Sequence, residues 1–403
     1  MHMIDNIDFK QENLFVVLKN EKYGLIDKTG KIVVPTEWDG ISIFTEGLAV
    51  VERNGKYGFI NTQGELKIDC KWEFADSFSN GLARVQQSGK WGYLDRNTGL
   101  IAINCKWERA SSFVEGFAFV SNNLDKNGYI DKAGNSIGGF DWKYEYIMVS
   151  DGLARVKDNK SKYGYIDKFG NIVIPCVWNE LNSFCEGLAL VKGDNNKYGY
   201  ITKNGNIVVP CMFDYANNYS EGRACTTIRK VYSDEEKWFY SNNCSYSIWS
   251  KFINKQGDYI SGSFEDADDF KGGLAAVKKN GKWGFINING DFVCPCKWEE
   301  VRSFNEGMAG VKTDGRWGFI NHIGDIVVPC VWKSISDFNE GLAAVEGFDF
   351  YETFINMSGE VVGENWQIVS PFENGLAIVH NWDGKDYYIN QNGDVVCERG
   401  FFQ

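Results

Sequence analysis

Carboxylates recur at one position along this chain of 403 residues, each directly before a glycine. They are Glu46, Glu115, Glu186, Glu221, Glu306 and Glu340. A row of acids of this kind could bind cations or sugar hydroxyls. Other copies of the same position carry Asn80, Asp151 or Asn374, however, and short polar residues before glycine are typical of tight turns. We therefore interpret the row as turn residues.

Cysteine forms a second row, two residues before an aromatic side chain that is usually Trp. Its members are Cys70, Cys105, Cys176, Cys211, Cys296 and Cys330. The first copy has Thr36 there, which indicates a small, partly buried packing position rather than a reactive thiol. Cys294 and Cys296 form a C-x-C pair without a nearby His or a second pair, so we predict no zinc site.

Other chemistry-bearing motifs are missing from the sequence. The three histidines, His2, His322 and His380, have no metal spacing, and the chain lacks the glycine-rich phosphate-binding motifs, G-x-S-x-G and H-E-x-x-H. Catalysis needs one asymmetric constellation, whereas this chain offers symmetric rows. We predict a protein that is not an enzyme, with no catalytic, cofactor-binding or metal-binding residues and no cofactor.

The rows belong to an internal repeat. Eleven copies, most of them 33 to 36 residues apart, recur along the chain, and nine of them have an aromatic-Ile/Leu-Asn/Asp sequence that usually follows glycine. The copy beginning at Gly273 shows the unit: a short apolar segment, an Asn280-Gly281 hairpin turn, a second segment ending at Gly290, and a third containing Pro295. Since no segment has a helical apolar period, each unit is predicted to be three antiparallel strands.

The aromatic residues also occur in rows. Trp91, Trp283 and Trp317 exchange with Tyr23, Tyr57, Tyr163 and Tyr198. The second row contains Trp38, Trp72, Trp107, Trp178, Trp298 and Trp332, and it admits Phe213 and Phe264. Exchange among large aromatics is typical of a packing position.

At this point the sequence resembles a known family, the bacterial WG-repeat or KWG-repeat proteins. The matching segments are KYGFIN from Lys56, KWGYLD from Lys90, KWGFIN from Lys282 and RWGFIN from Arg316, with Val-Val-Pro and Glu-Gly-Leu-Ala in register. The resemblance covers nearly the whole chain. It implies a β-rich array that serves as an interaction platform, in some members as a secreted effector, and it implies no catalytic residues.

For the architecture we favour an all-β, open, superhelical β-solenoid of about eleven three-stranded units of ~34 residues. One or two β-propellers are the alternative. The open form is favoured because eleven blades exceed the usual four to eight and no terminal strand is evidently shared between the chain ends.

The units divide the chain into a lead-in at 1–8, repeats one to six at 9–219, repeat seven at 220–270 and repeats eight to eleven at 271–403. Repeat seven is longer than the others because residues 229–248 are inserted into its first hairpin. Insertions in repeat arrays commonly lie on the binding face, so we predict a partner site on the aromatic residues of this hairpin. They are Tyr232, Trp238, Phe239, Tyr240, Tyr246 and Trp249.

Composition narrows the class of partner. A net charge of -12 and a pI of about 5.0 argue against nucleic acid and anionic membranes. We expect a non-enzymatic scaffold for a protein partner of unknown identity, and a multivalent carbohydrate-binding protein with exposed aromatic rows is the alternative. Abundant cysteine, with no signal peptide and no long apolar run, predicts the cytoplasm, and export as an effector stays open.

Overall fold

The computed structural model describes residues 14–123, 126–143, 148–231 and 246–399. These ranges contain β-strands and turns and no helix. It follows that none of them holds a helix long and apolar enough to cross a membrane. The strands form eleven small antiparallel sheets, numbered here in chain order.

The strands follow one another from sheet to sheet. Sheet 1 contains β1 (Leu14–Lys19), β2 (Lys22–Asp27) and β3 (Ile32–Trp38); sheet 2 contains β4 (Gly40–Ile41), β5 (Leu48–Arg53), β6 (Lys56–Asn61) and β7 (Leu66–Trp72). Sheet 3 contains β8 (Phe74–Ala75), β9 (Leu82–Gln87), β10 (Lys90–Asp95) and β11 (Ile101–Trp107); sheet 4 contains β12 (Arg109–Ala110), β13 (Ala118–Asn123), β14 (Lys126–Ile130) and β15 (Ser136–Trp142). Sheet 5 contains β16 (Val149–Ser150), β17 (Leu153–Lys157), β18 (Tyr163–Ile166) and β19 (Ile172–Trp178); sheet 6 contains β20 (Glu180–Cys185), β21 (Leu188–Lys192), β22 (Tyr198–Thr202) and β23 (Ile207–Phe213).

The second half of the chain continues this order. Sheet 7 contains β24 (Tyr215–Ala216), β25 (Ala224–Val231) and β26 (Tyr246–Ile253); sheet 8 contains β27 (Asp266–Ala267), β28 (Leu274–Lys279), β29 (Lys282–Asn287) and β30 (Phe292–Trp298). Sheet 9 contains β31 (Glu300–Val301), β32 (Met308–Thr313), β33 (Arg316–Asn321) and β34 (Ile326–Trp332); sheet 10 contains β35 (Ser334–Ile335), β36 (Leu342–Glu346), β37 (Glu352–Asn356) and β38 (Val361–Trp366). Sheet 11 contains β39 (Ile368–Val369), β40 (Leu376–His380), β41 (Asp386–Asn390) and β42 (Val395–Glu398).

The first hairpin of each unit follows from its turn sequence. In sheet 2 the pairing runs from Leu48↔Asn61 to Arg53↔Lys56. The two residues between, Asn54 and Gly55, have φ of 54° and 69°. Two consecutive positive φ values define the turn that matches the twist of paired strands, and Asn-Gly favours it.

The glycine of the Trp-Gly pair is required by the third strand. In sheet 2 the pairs Tyr57↔Trp72 and Phe59↔Ile68 enclose extra residues on β7, which form a bulge. The bulge brings the chain so close that a Cβ on Gly58 would lie 2.5 Å from the carbonyl oxygen of Ile68. A side chain at this position would therefore collide with backbone.

Most sheets have four strands rather than the three that the sequence predicts. The extra strand is two residues long in most sheets and comes from the polar stretch at the end of the preceding unit, as in β4, whose Ile41 pairs with Val51. A two-residue strand is too short to show an alternating pattern. Each sheet is thus linked to the next by a strand as well as by packing.

The core consists of side chains packed between neighbouring sheets. Between sheets 1 and 2 it contains Leu25, Val34, Trp38, Phe44 and Ile60, all buried. The same arrangement recurs between successive sheets, so each unit buries its apolar face on its neighbours, as expected of repeat proteins.

The last sheet packs on the first, which closes the array into a ring. Val17 and Ile26 of sheet 1 share one buried cluster with Leu376 and Tyr388 of sheet 11. The Tyr388 hydroxyl donates to the carbonyl of Val16 over 3.0 Å, and the Leu18 N–H donates to the carbonyl of Arg399 over 3.3 Å. The all-β repeat prediction is confirmed.

The arrangement is an eleven-bladed propeller-like ring, which corresponds to the closed alternative rather than to the favoured open array. The expectation of an open array rested on the lack of a shared terminal strand. The ring closes instead because the face of the last sheet packs on the face of the first. Packing of this kind requires no shared strand, so the sequence shows no strand pattern that would indicate closure.

Candidate functional site

The row of carboxylates links each turn to the next one around the ring. Glu306 accepts hydrogen bonds from the N–H groups of Glu340 and Gly341, both over 2.8 Å. Glu340 in turn accepts from the N–H of Gly375 over 2.7 Å. Glu46, Glu115, Glu186 and Glu221 bind the following turn in the same way. The row is therefore structural, and its oxygens are engaged by backbone donors.

The choice of glutamate has a conformational cost. Glu306 has a φ of 47° and Glu340 a φ of 53°, in the left-handed region where Asn and Gly are favoured. A shorter Asn suits the backbone better, and Asn80 still accepts from the N–H of Gly116 in the following turn, over the longer distance of 3.2 Å. The recurring Glu before Gly is the sequence signal for this contact, and it was missed because the partner lies about one repeat away in sequence.

We expect Glu306→Ala to lower the free energy of unfolding by about 2 kcal/mol, because two N–H groups lose a charged acceptor. The measurement is urea denaturation followed by tryptophan fluorescence, with exposed Glu360→Ala as control. Equal midpoints for the two variants would contradict the role assigned to the row.

The lysine that precedes the Trp-Gly pair also binds within the ring. Lys22 pairs with Asp39 in the connection to the next sheet, and the other oxygen of Asp39 accepts the N–H of Asn54 over 2.6 Å. The hydrogen bond from Lys22 is the main cause that lowers the pKa of Asp39. Lys90 and Lys197 make the equivalent pairs with Glu108 and Asp214. The charged part of the KWG motif thus joins consecutive sheets.

The two aromatic rows differ in burial. Trp38 of the second row is only 2% exposed, and Trp72, Trp107, Trp298 and Trp366 are also buried. Rings of the first row are half-buried and carry cations on their faces, as Arg84 lies 4.2 Å from the centre of Trp91. Neither row presents a line of open ring faces.

The cysteine row is partly buried. Burial raises the pKa of Cys176 to about 11 and that of Cys225, outside the row, to about 12. A thiol with so high a pKa is a poor nucleophile at neutral pH. Among the described residues, no group of three or more His, Cys, Asp or Glu side chains could hold a metal ion.

His322 replaces the acid where the carboxylate row is interrupted by Gly272. Its Nε2 lies 2.8 Å from the carbonyl oxygen of Gly272, and its Nδ1 lies 3.2 Å from that of Gly307. The ring packs 4.6 Å from Phe304. This histidine therefore bridges two neighbouring turns, as the glutamates do elsewhere.

The long hairpin of repeat seven is formed by β25 and β26, which pair over eight residues from Ala224↔Ile253 to Val231↔Tyr246. Other first hairpins pair over at most six, as in β5 and β6. Of the predicted site residues, Tyr232, Trp238, Phe239 and Tyr240 lie outside the described residues. Tyr246 is placed by its backbone on β26, and Trp249 pairs with Ile228 at the base of the hairpin.

A pocket opens beside this base, between the inner strands of sheets 6 and 7. Its volume is about 360 Å³. It is lined by Glu180, Asn182, Leu190, Tyr198, Tyr215, Ala216, Asn217, Asn218 and Asp269. Of these residues, only Tyr198 was singled out from the sequence, as a member of the first aromatic row. Leu190 stands where two other repeats have arginine, Arg84 and Arg155, and most of the remaining repeats also lack arginine there, as at Val50 and Ala276.

Comparison with known proteins gives few informative matches. No curated protein matches the chain. Among solved structures, a eukaryotic initiation factor is similar with 10% identity and a TM-score of 0.44, covering 97% of this chain and 96% of that one. The computationally designed Ika8 protein gives 9% identity and a TM-score of 0.31, with coverages of 78% and 94%. The WD40 β-propeller domain of Doa1 is similar with 13% identity and a TM-score of 0.24, covering 60% of this chain and 90% of that one. These values are too low to carry an inference about this chain.

The family comparison is decisive. The model for the WG containing repeat matches eight segments, at 23–57, 57–91, 91–123, 163–198, 198–232, 252–283, 283–317 and 317–346. Together they cover more than half of the chain. The aromatic and glycine positions on which the resemblance rested lie inside these segments. The chain therefore belongs to the family of WG-containing-repeat proteins, and it is built as a repeat scaffold.

Proposed function

We propose that this ring is a non-enzymatic scaffold that binds a protein partner through the long hairpin of sheet 7. The observation that carries the proposal is the asymmetry of that hairpin. The repeated acids, lysines and second-row tryptophans are used for contacts within the ring, whereas the base of β25 and β26 carries exposed apolar side chains. Ile228 is 38% exposed and Ile248 is 50% exposed.

The geometry of the hairpin suits protein recognition. Ile228 pairs with Trp249 across the ladder, and Ile248 pairs with Arg229 on the opposite face. Apolar and aromatic side chains grouped on a projecting element are typical of interface hot spots. The extended ladder holds them in fixed register, so little conformational entropy is lost on binding.

The chemistry of the repeated rows supports a role without catalysis. Thiols of the cysteine row are shifted towards the protonated form by burial, as at Cys176. Buried tyrosine hydroxyls such as those of Tyr93 and Tyr200 donate to backbone carbonyls. Groups held in this way serve packing and leave no activated nucleophile in the rows.

The alternative of one carbohydrate site per repeat is less well supported. Stacking on sugars requires open aromatic faces, and most of the second tryptophan row is buried, with Trp178 and Trp332 half-buried. The half-buried first row has cations over its rings, as Lys192 over Tyr198 at 4.9 Å. This observation favours a single asymmetric binding surface over a multivalent one.

The test is capture of the partner by variants of the purified chain. We expect Ile228→Ser with Ile248→Ser, and a version with 229–248 replaced by Asn-Gly, to lose a protein that the wild type retains. Each hot-spot residue is expected to contribute about tenfold in affinity. The control carries Ile172→Ser and Ile207→Ser, which lie at the edges of sheets 5 and 6 and are more exposed than the hairpin isoleucines, at 58% and 59%.

The captured protein is identified by mass spectrometry. It is then purified and titrated against the wild type, the two hairpin variants and the control. If the partner binds wild type and hairpin variants with equal affinity, or if the folded wild type retains no protein, the proposed function is wrong.

A further inference from the structure

The described part of the chain contains three internal sites in which an arginine lies over an aromatic ring of the Trp-Gly row. Arg84 lies 4.2 Å from the ring centre of Trp91 in sheet 3, Arg155 lies 4.8 Å from that of Tyr163 in sheet 5, and Arg302 lies 5.6 Å from that of Trp317 in sheet 9. A guanidinium over an aromatic face is attracted by the ring quadrupole.

Two of these guanidinium groups make the same further contact. Arg84 donates to the carbonyl of Ala110, and Arg155 donates to the carbonyl of Leu181 over 3.0 Å. Ala110 and Leu181 occupy equivalent positions on the inner strand of the next sheet. Each site therefore consists of a ring from one sheet and a carbonyl from the next.

An acid completes two of the sites. Asp76 binds Arg84, with the carboxylate oxygen 2.6 Å from Nη2. Asp337 lies 3.6 Å from Nη1 of Arg302. Charge-assisted bonds of this kind hold the planar guanidinium in a fixed orientation.

Sheet 6 has the same site without the arginine. Leu190 pairs with Tyr200 as Arg84 pairs with Tyr93, so it holds the arginine position. In sheet 6 the aromatic ring of the site belongs to Tyr198. The inner strand of sheet 7 has Ala216 at the position that Ala110 occupies in sheet 4. Leucine has no guanidinium, and the pocket of 360 Å³ lies at this place.

The pocket contains two carboxylates, Glu180 and Asp269. Asp269 follows β27 of sheet 8, two sheets beyond the ring of Tyr198, and one of its oxygens accepts from Asn217 over 2.8 Å. The residue of sheet 7 at the repeat position of Asp337 is Asn218. The Oδ1 atom of Asn218 is buried and has no hydrogen-bond partner among the described residues. Buried acceptors without a donor are costly, so the pocket is suited to a ligand that donates several hydrogen bonds.

We propose that this pocket binds a guanidinium group, placed over Tyr198 and held by the Ala216 carbonyl, Asn218 and Asp269. The source is a free guanidino compound or the arginine side chain of a protein. The inference goes beyond the proposed function, since a free guanidino compound binds without any protein partner.

Lys192, which lies over Tyr198 and pairs with Glu180, does not prevent this binding. In sheet 5 the ring of Tyr163 accommodates Lys157 at 4.7 Å together with Arg155. In sheet 9 the ring of Trp317 likewise has Lys312 at 5.5 Å beside Arg302. Two cations at one ring are thus an arrangement that this chain already contains.

The test is ligand-observed NMR titration of the full chain with Nα-acetyl-arginine amide, with Nα-acetyl-citrulline amide as the uncharged isostere. We expect saturable binding of the arginine compound and binding at least about tenfold weaker for citrulline, which lacks the charge. A pentapeptide with one central arginine distinguishes the sources: tighter binding than the amide indicates a protein side chain, and equal or weaker binding indicates a free compound.

Three variants locate the site. Leu190→Arg supplies an internal guanidinium, as in sheets 3 and 5, so we expect a folded protein that no longer binds the ligand. Asp269→Asn is expected to weaken binding about tenfold, because one charge-assisted bond is lost. Asp337→Asn is the matched control and is expected to bind as the wild type does.

The proposal is overturned if neither arginine probe saturates, if citrulline binds equally well, or if folded Leu190→Arg keeps the wild-type affinity. If Leu190→Arg does not fold, the comparison of ligand affinity between Asp269→Asn and Asp337→Asn decides the question. Equal affinities for these two variants then overturn the proposal.

Discussion

Gly318→Ala is expected to lower the free energy of unfolding by about 3 kcal/mol or more, the upper end of the range for overpacking. A Cβ at this position would lie 2.4 Å from the carbonyl oxygen of Val328 and 2.8 Å from the backbone nitrogen of Cys330. Both atoms belong to the backbone of the third strand, so they have no rotamer through which to move away.

The matched control is Gly315→Ala in the neighbouring turn. Gly315 has a φ of 71° and open space around its Cβ position, so only the backbone cost of about 1 kcal/mol is expected. Urea denaturation of the two variants gives the comparison. A loss for Gly318→Ala that does not exceed the loss for Gly315→Ala would show that the close approach of the third strand is not what requires glycine.

The repeats that lack this glycine support the same argument. Sheet 7 has Lys251 there, and in place of a continuous third strand only isolated bridges join β26 to the segment that follows it, at Tyr259 and Phe264. Sheet 10 has Thr353, and its third strand contains Gly363 with a φ of 80°. A side chain at the glycine position is thus accompanied by a changed third strand.

Tyr388→Ala is expected to open the junction between the first and last sheets. Its ring is buried and packs 5.5 Å from Phe15, and its hydroxyl bonds the carbonyl of Val16. Truncation of a buried aromatic side chain costs about 3 to 5 kcal/mol. This junction has no covalent connection among the described residues, so the loss is expected to separate the sheets locally rather than to unfold the ring.

Hydrogen exchange followed by mass spectrometry measures this effect. Amides of 14–27 and 386–390 are expected to exchange at least tenfold faster in Tyr388→Ala, while those of sheets 4 to 8 keep their wild-type rates. Tyr200→Ala is the control, because Tyr200 is buried in the same way between sheets 6 and 7, which the chain connects directly. Unchanged exchange at 14–27 in Tyr388→Ala would contradict closure through this residue.

The unit could be predicted from sequence because its signals are local. Asn54-Gly55 fixes a hairpin within two residues, and glycines such as Gly30 have the positive φ that the recurring pattern predicts. Pro35 lies in β3, an edge strand, as its missing N–H requires. The number of units and their all-β character follow from these features.

Ring closure could not be predicted in this way. It depends on the small rotation between neighbouring sheets, summed over the whole array, and no single residue encodes it. The contact of Val17 with Tyr388 joins residues at opposite ends of the sequence, where no repeat pattern links them.

The candidate site was predicted in part. The hairpin was found from its length, since 18 additional residues are visible in any alignment of the repeats. The pocket was missed because its lining comes from several separate strands, β20, β21, β22 and β24, and from the segments after β24 and β27. Leu190 becomes informative only when it is compared with Arg84 and Arg155 in known three-dimensional register.

The chain forms a closed ring in which the repeated rows serve structure. Closure can be measured by incorporating the photo-crosslinker p-benzoylphenylalanine at Phe15. We expect an intramolecular crosslink to the peptide that contains Tyr388, with a yield independent of protein concentration. Crosslinks to other segments, or crosslinks only between molecules, would show that the first and last sheets do not meet.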